Sequence, residues 1–72
     1  MVSRASDQAL SPRDLDLLRM IVGQMSDAEI AFALDISLET VVTQIRDLLE
    51  KITVPDRVIA AAEAIKNGWV KL

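Results

Sequence analysis

Two helix starts a short, fixed distance apart constrain this chain more than any other feature. Ser26 is followed three residues later by Glu29, and Ser37 by Thr40. Each serine hydroxyl can accept from the backbone N–H groups that the first turn of a helix leaves unpaired. Ser26 with Glu29 makes a capping box, whereas Ser37 with Thr40 makes a cap alone. Between them, Asp35-Ile36 leaves room for a turn of about three or four residues, the connection that two steeply crossing helices need. Ser26 to Ile52 therefore reads as a helix, a tight turn and a longer helix.

The flanking segments read as support. Ser11-Pro12-Arg13-Asp14 opens a helix with a capping serine, proline at the first helical position and an acid where the helix dipole favours it. That helix is expected from Pro12 to about Val22, with Leu17, Leu18 and Ile21 facing the core, Leu10 as a staple and Gly23 as its left-handed terminator. Leu15 lies beside Asp14, Asp16 and Arg19 and is expected to be exposed. The second helix, Asp27 to Leu34, points Ile30, Ala31 and Leu34 inward. In the third, about 38–52, Val41, Ile45, Leu48, Leu49 and Ile52 form an inward stripe. Its opposite face carries Thr40, Thr43, Gln44, Asp47 and Glu50 or Lys51.

Thr53-Val54-Pro55 breaks the pattern, and a fourth helix is expected from Pro55 or Asp56 to Lys66, closed by Asn67-Gly68. Ala60, Ala61 and Ala64 form a close-packing surface. Val58, Ala62 and Ile65 form a second apolar stripe, to be covered by a partner helix or by Trp69 and Val70 folding back. Met1 to Ala9 has no apolar periodicity and reads as a disordered N-terminal segment before a domain spanning 10–72.

Seventy-two residues make one small domain, which buries only about 60% of the surface its unfolded chain exposes. Cysteine and histidine are both absent, so disulfides and the usual zinc ligand sets are unavailable and no metal or other cofactor is implied. Without a histidine or cysteine to act as base or nucleophile, and without a glycine-rich phosphate loop, the residues do not suggest an enzyme. No apolar run approaches the roughly 18 residues of a membrane span, and the start does not look like a signal peptide, so a cytoplasmic location is expected. The net charge of −3 and the pI near 4.7 weigh against strong electrostatic attraction to nucleic acid.

In order and spacing, the chain resembles the LuxR-type or GerE-type helix-turn-helix domain that ends many bacterial response regulators and quorum-sensing receptors. The resemblance runs from Leu10 to about Val70. It rests on Leu10-Ser-Pro-Arg-Asp, Leu18 with Ile21, Met25-Ser-Asp-Ala-Glu-Ile-Ala, Leu34-Asp-Ile-Ser, Thr40-Val41 with Thr43, and Lys51-Ile52 before Asp56-Arg57. It implies an all-α fold, a small four-helix helix-turn-helix domain of the tetrahelical LuxR type. Its third helix would lie in the DNA major groove and its fourth would form a homodimer through Val58, Ala62 and Ile65. The DNA-binding residues carried over or read from that face are Ser37, Thr40, Val41, Thr43, Gln44, Arg46, Asp47 and Lys51.

Several positions depart from the family pattern. Ala28, Val42 and Glu50 stand where a basic residue is usual, Gln44 where histidine is frequent, and Asp47 where asparagine is expected. Arg46 adds a cation. Asp35 stands at a position that favours glycine, and Gln24 replaces a glycine whose role is assigned to Gly23. Over Ser26 to Ile52 six acids face two cations, a net charge of −4. Gln44 could pair with adenine and Asp47 accept from cytosine. The alternative reading is an acidic helix-turn-helix with weakened DNA binding that acts on a protein partner, suggested by the acidic face, Leu15 and Phe32. The sigma-factor region that reads promoter elements shares the four-helix pattern, but the continued fourth helix fits it less well.

Overall fold

A computed structural model describes residues 10–71. The segment 1–9, expected to be a disordered tail, and Leu72 lie outside the described residues. Four helices are present among the described residues: α1 (Pro12–Val22), α2 (Asp27–Leu34), α3 (Leu38–Lys51) and α4 (Arg57–Lys66), with no strand. α1 packs on α4 and α2 on α3.

Local chemistry sets the helix starts. Ser26 Oγ accepts from the Glu29 N–H at 3.1 Å while Glu29 Oε1 accepts from the Ser26 N–H at 2.7 Å, closing the capping box. At Ser37, Oγ accepts from the Thr40 N–H at 3.0 Å and lies 2.8 Å from the Thr40 hydroxyl, a cap without reciprocal backbone contact. Ser11 forms a second full box with Asp14. α4 begins later than expected, at Arg57, because Asp56 is its N-cap and accepts from the Ile59 N–H at 2.9 Å.

The helix ends repeat one device. In each, a residue in the left-handed region donates back to the carbonyl three residues earlier, and the apolar residue after it donates to the carbonyl five residues earlier, a Schellman closure. The pairs are Met25 to Met20 (3.1 Å), Ile36 to Ala31 (3.0 Å), Val54 to Leu49 (3.0 Å) and Trp69 to Ala64 (2.8 Å). These closing residues pack against the core, so every helix end seals the interior. The left-handed positions are Gln24 (φ 62°), Asp35 (φ 57°), Thr53 (φ 60°) and Gly68 (φ 74°).

Gly23, expected to terminate α1 in that conformation, has φ −75°. The bond from Met25 back to Met20 puts the reversal one residue later, on Gln24. A side chain in the left-handed region costs roughly 1–2 kcal/mol, and a β-branched one is the least suited to it. Thr53→Gly should therefore raise stability by about 0.5–1 kcal/mol after the extra entropy that glycine loses on folding. The check is the urea midpoint at constant slope; a lower midpoint would contradict this account of Thr53.

Leu17, Leu18 and Ile21 of α1, Ile30 and Ala31 of α2, Val41, Ile45 and Leu48 of α3, and Ile52 fill the centre. Ala60 and Ala64 are fully buried one turn apart, where small side chains let α4 approach closely. Val70 returns into the core and Trp69 packs against it half-buried. Neither covers the opposite stripe of α4: Val58 is 76% exposed, and Ala62 and Ile65 are also exposed. Leu15, expected at the surface, is half-buried, and Leu34 and Leu49 are likewise half-buried. No helix among the described residues is long and apolar enough to cross a membrane.

Candidate nucleic-acid interface

α3 divides cleanly into two faces because its apolar residues recur at three- and four-residue spacing. With Val41, Ile45 and Leu48 buried, Val42, Thr43, Arg46, Asp47, Glu50 and Lys51 point outward. Ser37 and Thr40 sit at the N-terminal end of this face, where their hydroxyls are engaged in the cap. Arg46 is exposed and forms no ion pair among the described residues. Asp47 and Glu50 flank it with negative charge, so the outward surface is mixed rather than basic.

The first turn of α1 lies against this helix. Lys51 Nζ donates to Asp14 Oδ2 at 2.6 Å, and Asp14 Oδ2 also accepts from the Ser11 N–H at 2.9 Å. Burial pushes the Asp14 carboxyl upward, but the Lys51 hydrogen bond, the bonds to Ser11 and the Lys51 charge outweigh it and hold the group below the ordinary 3.8. One residue earlier, Arg13 Nη1 donates to Gln44 Oε1 at 3.2 Å. Arg13 and Asp14 thus reach residues two turns apart on α3. On the other side, Arg57 donates to the carboxylate of Asp27 and, at 3.0 Å, to the Met25 carbonyl, fastening the start of α4 to the start of α2.

Three of the assigned contact residues are engaged within the domain, and of these only Val41 is withdrawn as a contact. Val41 is fully buried beneath α3 and supports the core, because the inward stripe needs an apolar residue there. Lys51 commits part of its donor capacity to Asp14 and locks α1 to α3. Gln44 is half-buried and held by Arg13 instead of lying open.

The family model for bacterial regulatory proteins of the luxR family matches residues 8–64. The chain belongs to the luxR family. Among curated proteins it is 40% identical over 63 residues to the transcriptional regulatory protein DegU of Brevibacillus brevis, covering 88% of this chain and 27% of that protein. It is 46% identical over 64 residues to the uncharacterized transcriptional regulatory protein YhcZ of Bacillus subtilis strain 168, covering 85% of this chain and 30% of that one. The chain spans less than a third of the length of each. The all-helical LuxR-type fold expected from the sequence is the fold found, and a DNA-binding transcription regulator is the class to which family and relatives point. The reading as a protein-interaction module is not favoured by them.

Within this LuxR-type domain, sequence reasoning missed Arg13, Asp14 and Ile59. Ser11 followed three residues on by Asp14 is a shorter form of the capping-box pattern and could have flagged Asp14. The partners of Arg13 and Asp14 lie 31 and 37 residues away, beyond any local pattern. Ile59, 42% exposed beside Val58, widens the outward stripe of α4 and was hidden by the alanine-rich background. Phe32 is 90% exposed on α2.

Proposed function

We propose that residues 10–72 form the DNA-binding domain of a cytoplasmic transcription regulator. It would bind double-stranded DNA as a homodimer, with the outward face of α3 in the major groove and α4 pairing the two copies. The observation that carries this reading is the division of α3: its apolar stripe is consumed by the core, leaving Thr43, Arg46 and Asp47 exposed on a capped helix that is otherwise anchored. A helix placed this way in a helix-turn-helix enters the groove and meets base edges with its outward residues. Thr43 and Arg46 are offered to bases and phosphates, Asp47 to a cytosine amino group, and the Ser37 and Thr40 end to the backbone.

Charge sets the scale of binding. With six acids against two cations over Ser26 to Ile52, and Lys51 paired to Asp14, one head should bind in the weak regime of roughly 10⁻⁴ to 10⁻⁶ M. Two heads presented about one helical turn apart raise the affinity through effective concentration. Titration of random and family-like palindromic duplexes at low salt tests the reading. Saturable binding that favours the palindrome is expected, and no binding at roughly tens of micromolar would overturn it. Arg46→Ala should weaken binding several-fold and reduce the salt slope by about one if Arg46 meets a phosphate; relaxed base preference would instead place it on a base edge.

A further inference from the structure

We propose that Arg13, on the first turn of α1, is a positioning residue that sets base preference through Gln44, making this domain favour guanine over adenine where Gln44 meets DNA. The inference rests on the DNA-binding reading above. A guanidinium has donors only, so it can hold Gln44 only through the amide oxygen. The bond from Arg13 Nη1 to Gln44 Oε1 at 3.2 Å therefore turns the amide oxygen toward α1 and the amide NH₂ away from it.

The bond is solvent-exposed, but the fold fixes the two backbones that carry it. The adjacent Asp14 has its side chain 13% exposed and is joined to Lys51 at 2.6 Å, which fixes the first turn of α1 against α3. Arg13, Asp14, Gln44, Asp47 and Lys51 border one shallow depression between the two helices. Gln44 is half-buried in its wall, so its amide is less mobile than a fully exposed one.

Unconstrained, glutamine pairs with adenine by accepting from N6 and donating to N7. With its oxygen turned toward α1 and one of its two lone pairs taken by Arg13, Gln44 presents its hydrogens to the groove. Guanine presents two acceptors, N7 and O6, to such a donor pair, whereas adenine presents N7 alone and sets its N6 amino group against the other hydrogen. A preference of roughly tenfold for guanine follows, within the range that a well-made base contact supplies.

Selection of binding sites from a random duplex library with the full chain, in wild-type, Arg13→Met, Arg13→Lys and Gln44→Ala forms, tests this. Guanine should be enriched by the wild type at one position per half-site and retained by Arg13→Lys. Adenine should rise to at least parity with Arg13→Met, and the preference should disappear with Gln44→Ala. An enriched site whose guanine preference is the same in Arg13→Met overturns the role of Arg13 while leaving DNA binding intact. No enriched site from the wild type overturns the DNA-binding reading and this inference with it. The DNA-free counterpart is the pair of Gln44 side-chain amide NMR resonances: Arg13→Met should shift them and narrow their separation, and unchanged resonances would overturn the proposal.

Discussion

Val58→Glu and Ile65→Glu should each leave the protein monomeric and lower its affinity for a palindromic duplex by roughly a hundredfold or more. The two side chains lie on the outward stripe of α4 with Ile59 and Ala62. None of the four contributes to the buried core, so the domain keeps its fold when they change. In a two-fold pair every substitution enters twice, and a carboxylate at either position would meet the apolar stripe of the partner copy, unpaired and desolvated. The weakened interface carries over to DNA because a monomer forfeits the effective concentration that joins two weak heads. Sedimentation and duplex titration together read both effects. Dimers that persist in both variants would overturn the assigned surface, and a wild type that sediments as a monomer at high concentration would do the same.

Asp14→Ala should destabilise the domain by roughly 2–3 kcal/mol, a large share of what a chain this small can hold. Two contacts are lost together. The Ser11 N–H loses its acceptor, which opens the reciprocal half of the capping box while Ser11 Oγ still caps the backbone N–H of residue 14, and the Lys51 ammonium loses the Asp14 carboxylate. Lys51 remains partly in solvent, so the cost stays below that of stranding a fully buried charge. Lys51→Ala should cost less, about 1 kcal/mol, because Asp14 keeps its bonds to Ser11.

The pH dependence has a definite sign. Asp14 titrates lower in the folded chain than its ordinary 3.8, so its contribution is present above that value and is lost as pH falls below it through the folded value. Urea unfolding between about pH 5 and about pH 2 should show a shallower acid decline in Asp14→Asn than in the wild type. Equal declines would show that Asp14 is not the group responsible.

Much of the scaffold was legible in the residues because it is local. The capping groups at Ser11, Ser26 and Ser37 reach only three residues, and a helix confined to one side of a core repeats its apolar positions every three or four. Leu17, Ile30, Val41 and Leu48 were therefore placed inward correctly. The same local logic misplaced the left-handed turn at Gly23. Glycine is the cheapest residue for that conformation, but the closure is set by where Met25 must pack and donate, which put it on Gln24.

The composition of the outward face of α3 was written in the chain; the engagement of its side chains was not. Sequence by itself determined the caps, the inward stripes, the acidic balance and the family. Only the tertiary structure decided that Val41 is wholly committed to the core, that Lys51 answers Asp14 and that Gln44 is oriented by Arg13. The reason is physical: caps and helical faces depend on neighbours within a turn or two, whereas these pairings depend on how α1 lies across α3, which the buried contacts of the whole domain fix jointly.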